Sequence, residues 1–216
     1  MWHLGMNSNM NFPAPLAAMG FLAACTCALL AACALIAAAF VGKLKIARLT
    51  LSLLAGGAVV YFGLLLSFSL LSHDRTLALG HEKYFCEIDC HLAYSIVDVS
   101  QETAGAARRY TLMLETRFDE TTISSHRPKD APLAPPPRTV ELLDASGNEY
   151  PPKAIAGTAL TTRLIPGESY ITQLTFFVPV AARGLKLLIT TTPQWPDHVV
   201  IGDENSWLHK KTYFAL

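Results

Sequence analysis

The segment Leu49–Leu71, LTLSLLAGGAVVYFGLLLSFSLL, holds 23 residues without a formal charge. As an α-helix it would reach ~34 Å at ~1.5 Å per residue, enough to cross the ~30 Å hydrocarbon layer of a bilayer with some tilt. Charges elsewhere treat this segment as a boundary. No acidic residue precedes it, and all 17 Asp and Glu follow it. The sequence therefore divides at about His73 into a membrane part and a water-soluble part.

A second apolar run, Leu16–Val41, is rich in alanine and follows Pro13 and Pro15, where a helix tolerates proline at its start. It lacks the charged n-region of a signal peptide and exceeds the usual apolar length. Leu22-Ala-Ala-Cys25 and Leu30-Ala-Ala-Cys33 have the form of lipoprotein cleavage boxes, but apolar sequence continues past both. We expect two transmembrane helices, about 16–41 and 49–71, in antiparallel contact across a turn at 42–48. Lys43, Lys45 and Arg48 in that turn, with no acid beside them, place it in the cytoplasm by the positive-inside rule. The N-terminal segment 1–15 and everything after His73 then lie outside. Gly56, Gly57 and Gly63, with Ser52 and Ser67, supply small faces on which membrane helices approach closely. Two readings stay open: the helices pack only on each other, or spare faces pack on other membrane subunits. Cys25, Cys27 and Cys33 read as small helix-packing residues.

From Asp74 onward 14 Lys and Arg (17 less Lys43, Lys45 and Arg48) face 17 acids, a net charge of about −3. That excludes a basic surface for nucleic acid and a polybasic lipid-binding run. After a linker at 73–83 the texture becomes alternating and β-branched. Strands are expected at Leu92–Val99 and Arg109–Phe118, where Tyr110, Leu112 and Leu114 share a face at period two. Gln101–Ala107 reads as their hairpin loop. Asp119–Arg138 carries five prolines, which cannot donate to a ladder, and reads as a long exposed loop. His126 and Arg127 sit at its tip, either on a plain excursion or on a partner-binding loop. Further strands are expected at Thr139–Leu143, Glu149–Tyr150, Leu160–Leu164, Tyr170–Val178 and Leu185–Thr191, with Val199–Ile201 and Thr212–Leu216 closing the sheet. Ile165-Pro166-Gly167-Glu168 has a type II turn signature. Seven or eight short strands at roughly ten-residue spacing point to a β-sandwich over 84–216.

Glu141-Leu-Leu-Asp-Ala-Ser-Gly-Asn-Glu-Tyr150, Leu164-Ile-Pro-Gly-Glu-Ser169, Leu174-Thr-Phe-Phe-Val-Pro179 and Gly184-Leu-Lys-Leu187 carry a resemblance. They are similar to the bacterial immunoglobulin-like extracytoplasmic domain of unknown function found behind lipoprotein anchors and membrane helices. The resemblance covers about residues 84–190. It implies an all-β immunoglobulin-like sandwich behind a helical transmembrane hairpin, facing the periplasmic side of the bacterial inner membrane. It implies no activity, because sites rather than folds carry function.

One stretch departs from a plain sandwich: His81-Glu-Lys-Tyr-Phe-Cys86-Glu-Ile-Asp-Cys90-His91. Thiolate with imidazole is a copper or zinc ligand set, so Cys86, Cys90, His91 and His81 are candidate metal ligands. The Cys-x-x-x-Cys spacing and the plan of two helices before a β-domain resemble cytochrome oxidase subunit II and its dinuclear copper loop. In that family the loop lies near the domain's end, with its glutamate midway between the cysteines and further histidine and methionine ligands. Here Glu87 is one place early and Tyr94 and Val97 hold the ligand positions, so the site is not carried over. The competing readings are a Cys86–Cys90 disulfide, favoured by an oxidising compartment, and two free thiols. In a continuous strand the two Cα atoms would be ~13 Å apart, while a bridge needs them within about 7 Å. A disulfide therefore requires a turn over Glu87–Asp89. His198 and His209 could join a site only by folding and otherwise read as surface histidines; Asp203-Glu204-Asn205 could bind a cation, but acid-rich turns are common and it reads as a solvated turn.

No nucleophile–base pairing, nucleotide loop, HExxH or CxxCH motif is present. The expected function is a non-enzymatic accessory or interaction subunit of a larger membrane complex. The lipid bilayer and other membrane subunits are its expected partners, nucleic acid is not, and no cofactor is required. The alternative is a copper- or zinc-binding redox or delivery module.

Overall fold

The structure is a computed structural model that describes residues 7–86, 90–123 and 127–216. Two long helices come first, α1 (Ala14–Phe40) and α2 (Leu44–Leu70). They pack on each other as an antiparallel hairpin, and both are long and apolar enough to cross a membrane. Pro13 precedes the first helical residue and Pro15 occupies its opening turn. Only 6% of the apolar window of either helix is buried.

The turn between them is shorter than the sequence implied. It occupies Val41–Lys43, and Lys45 and Arg48 lie inside α2 rather than in a turn at 42–48. Leu, Lys, Ala and Arg are strong helix formers and Ile is tolerated, so nothing after Gly42 delays the helix.

The described residues after the hairpin form ten strands: β1 (Arg75–Leu77), β2 (Lys83–Phe85), β3 (Leu92–Ala104), β4 (Ala107–Phe118), β5 (Arg138–Leu143), β6 (Glu149–Tyr150), β7 (Ala154–Gly157), β8 (Ser169–Pro179), β9 (Lys186–Thr191) and β10 (Thr212–Ala215). One sheet has the order β1-β10-β9-β5-β6, the other β2-β3-β4-β8-β7. All described neighbours are antiparallel except β1 and β10, where Arg75 aligns with Thr212 in parallel. The two sheets share one core. Tyr94, Ile96, Leu112, Leu114 and Phe176 from one meet Leu142, Leu187, Ile189 and Phe214 from the other. Burial along β4 alternates as its period-two pattern dictates, with Tyr110, Leu112 and Leu114 inward. Each large apolar side chain removed from water contributes ~1.5–3 kcal/mol.

Four boundaries moved. The expected linker at 73–83 contains β1 and the start of β2, because residues adjoining the helix find partners in β10 and β3. The expected loop Gln101–Ala107 is a two-residue turn, with Ala104 opposite Ala107. Gly105, at φ +63°, supplies the left-handed conformation that so tight a turn needs. Leu160–Leu164 forms no strand. Leu164 makes a single bridge to Leu133, and the edge of β8 is covered by β7 instead. Val199–Ile201 also forms no strand, since its apolar side chains pack on α2. The proline-rich segment Asp119–Arg138 is irregular as expected. Its described part holds one 3-10 turn, Glu120–Thr122, capped by the Asp119 carboxylate.

Candidate functional site

Where the helices meet the sheets, two irregular segments close on each other. The N-terminal segment lies along β2: Tyr84 N–H donates to Asn7 O at 2.7 Å and Asn9 N–H to Tyr84 O at 3.0 Å. Beyond it, Asn11 N–H donates to Gly202 O at 3.0 Å, and Asn11 Nδ2 donates to Phe68 O of α2 at 2.8 Å. The opposing segment, 194–208, lies against the same helix. Tyr61 Oη donates to Val199 O at 2.8 Å, and Leu65, Val199 and Ile201 form a second apolar cluster with Phe12, Phe21 and Phe68. Gly202 sits where the segments touch. At φ +78°, a Cβ there would stand 2.4 Å from Phe12 Cβ and 2.9 Å from Phe12 N, so only glycine fits.

Beneath this clasp lies a buried ion pair. Lys83 of β2 is fully buried and Glu204 is 2% exposed. Lys83 Nζ donates to Glu204 Oε2 at 2.8 Å, to Glu204 Oε1 at 3.0 Å, to Ile189 O at 2.6 Å and to Thr212 O at 3.1 Å. It lies 4.9 Å from the centre of the Phe85 ring. Burial pulls the ammonium below its ordinary range, and the Glu204 carboxylate opposes that pull. Removing two charges from water costs several kcal/mol per ion, so the pair holds only because every Lys83 proton has an acceptor. It joins β2 to the 194–208 segment and to both β9 and β10. The solvated turn expected at Asp203–Asn205 is thus largely interior, with Glu204 and Asn205 both buried.

On the opposite side of β2 the charges are wetter. Arg117 grips Glu82 with two bonds, Nε to Oε1 at 2.7 Å and Nη2 to Oε2 at 2.9 Å. The Tyr84 hydroxyl stands 2.6 Å from Asp119 Oδ2 and 2.8 Å from Glu82 Oε2, sharing one proton between two carboxylates. Burial works to raise the Asp119 carboxyl. Hydrogen bonds from Tyr84 and Thr121 and the charge of Arg117 outweigh it and hold that carboxyl at about 2.

Cys86 and Cys90 are joined in a disulfide with their Cα atoms 4.2 Å apart. The turn expected at Glu87–Asp89 lies outside the described residues. Sulfurs bonded to each other are not the thiolates a copper site needs. Cys86 N–H donates to Asn9 Oδ1 at 2.8 Å, fastening the bridge to the clasp. The neighbouring candidates diverge. His81 is exposed, while His91 is buried, with Nδ1 2.7 Å from Thr122 Oγ1 and its ring stacked on Phe118 at 5.6 Å. Among the described residues no three His, Cys, Asp or Glu side chains converge to hold a metal ion.

Next to the disulfide an amphiphilic cleft of about 480 Å³ runs between α1 and the sheets. Phe21, Leu22 and Phe85 give its apolar wall, and Arg138, Asp197 and Asp203 its polar one. The Arg138 guanidinium lies 4.1 Å over the Phe85 ring. His126 lies outside the described residues. Arg127 does not project freely from its loop, because its guanidinium lies 5.5 Å from the centre of the Phe118 ring. Gly56, Gly57 and Gly63 face outward, and a Cβ added to any of them meets nothing within 4 Å among the described residues.

No family model matches this chain, and it matches no curated protein and no solved structure.

Sequence reasoning passed over Lys83 and the N-terminal asparagines, and it read Glu204 as part of a solvated turn. A lysine opening a strand reads as solvent-facing, and its partner is 121 residues away. One signal was present in Asn7, Asn9 and Asn11. Their alternation is the spacing of an added strand.

Proposed function

We propose that this chain is a membrane-anchored, non-enzymatic interaction subunit of a larger assembly in the bacterial inner membrane. On this reading α1 and α2 span the bilayer. Lys43, Lys45 and Arg48 mark the cytoplasmic end of the hairpin, and the sheets form an immunoglobulin-like sandwich that docks on the extracytoplasmic face of the partner. The observation that carries the reading is the unpartnered state of the hairpin. Only 6% of each apolar window is buried, and the outward glycines Gly56, Gly57 and Gly63 pack on nothing among the described residues. Backbones approach closely at such positions in membrane helix pairs. A disulfide on the sheet side supports an oxidising compartment there.

The test is affinity purification of the tagged full chain in mild detergent, with mass spectrometry of co-purifying chains and elemental analysis. A stoichiometric membrane partner without metal is expected. Copper or zinc near one per chain with no partner would overturn the reading and return attention to Cys86–His91.

A further inference from the structure

Segment 194–208 is built inside out for a loop in water. Three consecutive polar side chains turn inward: Glu204, Asn205 and Ser206 are 2%, 6% and 5% exposed. Three large apolar ones turn outward, Trp195, Trp207 and Leu208 at 73%, 50% and 66% exposed, while Val199 and Ile201 pack on α2. The buried polar side chains find partners inside the protein: Lys83 Nζ donates to Glu204 Oε2 at 2.8 Å and Lys211 Nζ to Asn205 Oδ1 at 2.8 Å. His198 Nδ1 stands 2.9 Å from Asn205 O, and Asn205 N–H donates to Asp203 Oδ1 at 2.7 Å. Leu208 holds φ at +65°, in the left-handed region that a side chain with a Cβ disfavours.

The segment also reaches well along the hairpin. Val199 O accepts from Tyr61, and the Trp207 ring stacks on that of Phe62 at 6.1 Å between centres. Phe62 lies ~13 Å below Leu71 along a helix rising ~1.5 Å per residue. From this height upward α2 still shows exposed apolar side chains, at Leu64, Leu66 and Leu70, the last two one and two turns beyond Phe62 on the same stripe. On the membrane reading, the exposed face of Trp207 adjoins this apolar surface of α2 where it meets lipid.

We propose that segment 194–208 is embedded in the bilayer, in the interfacial layer of the leaflet nearest the sheets, with Trp195, Trp207 and Leu208 among headgroups and upper acyl chains. The proposal rests on the membrane reading of the hairpin. Indole rings settle at this depth because their apolar body and N–H are both satisfied there. The occupant of the exposed patch is thus lipid, and the sheets are held against the membrane surface by the segment as well as by the helices.

Tryptophan depth in proteoliposomes tests it. The full-length Trp2→Phe/Trp195→Phe chain, with Trp207 as sole tryptophan, is reconstituted in lipid brominated near the carbonyl end of the acyl chain. Trp207 emission should fall roughly by half relative to unbrominated lipid, as expected for an interfacial indole, and aqueous iodide should quench it little. A second chain, with all three tryptophans replaced and Val59→Trp added on exposed α2, reports on the hairpin alone. Quenching of Trp207 by iodide and not by bromolipid, while the Val59→Trp chain is quenched by bromolipid, would overturn this proposal and leave the hairpin reading standing. Absence of bromolipid quenching in both chains would overturn the membrane reading, and this inference with it.

Discussion

Glu82 and Lys83 are neighbours in sequence and live in different solvents. Lys83 points into the junction, wholly buried, and finds all its acceptors there. Glu82 points the other way and shares Arg117 with Asp119 in a network where Arg117 and Glu82 are each about 30% exposed, at 29% and 30%. The difference teaches what each charge is for. The inner pair cannot relax toward water, so it fixes β2 against the 194–208 segment at one geometry. The outer network is partly solvated, and bidentate geometry rather than isolation gives it strength.

Four measurements can break or sharpen that contrast, each by denaturation of the detergent-solubilised chain. The largest effect belongs to Lys83→Met, which leaves Glu204 buried without a partner and should cost ~3–5 kcal/mol. The double variant Lys83→Met/Glu204→Leu should recover most of that loss. If the single and double variants lose equally, the pair is not an energetic unit. Next comes Gly202→Ala, which disturbs the same junction without touching a charge. Its Cβ meets the Phe12 backbone in a left-handed conformation, and a loss of ~2–3 kcal/mol is expected. Neutral behaviour would mean the clasp opens freely.

A smaller effect is set by pH. Asp119 is held at about 2, below the ordinary 3.8. Its contribution is present above about pH 4 and is lost as pH falls through about 2, worth ~1–2 kcal/mol. Asp203 behaves oppositely. Burial pushes its carboxyl up to about 7 against the pull of the Asn205 N–H, with Glu204 and Asp197 adding to the rise. The folded chain then holds that proton more tightly than the unfolded one, so stability declines as pH rises from about 4 through about 7. Asp119→Asn should remove the acid limb of the pH profile and Asp203→Asn the neutral one. Unchanged limbs would refute the assignment. The smallest effect is at Glu102 and Arg109, paired across the exposed end of the β3–β4 hairpin. Glu102→Ala should cost less than ~0.5 kcal/mol, which sets the baseline for a charge pair in full solvent.

The hairpin and most strands were legible because their signals are local. An uncharged run fixes a helix length, and Tyr110, Leu112 and Leu114 declare a face within five residues. The start of α2 was misplaced because charged residues at 45 and 48 were read as a turn, although a helix carries them without cost to its backbone. Leu160–Leu164 looked like a strand from its apolar ends, yet the four weak residues of β7 won the edge of β8. The clasp was legible only in the alternation of Asn7, Asn9 and Asn11. Lys83 with Glu204, Asn11 with Gly202 and Tyr61 with Val199 are each meetings of distant segments. Neither Lys83 with Glu204 nor Tyr61 with Val199 leaves a periodicity in its own neighbourhood. Trp207 could have raised suspicion as a large aromatic among polar residues, but only its stacking on Phe62 gives it a height.

The parallel pairing of β1 with β10 sets an order in time. β1 emerges directly after α2, yet its only described sheet neighbour is β10, reached when residues 212–214 arrive. The β2–β3–β4 ladder and the pairs β5–β6 and β5–β9 need nothing from β10. β1 alone lacks its partner until then, beside the membrane on the proposed topology. A chain halted before residue 212 would present an unpaired edge to its neighbours.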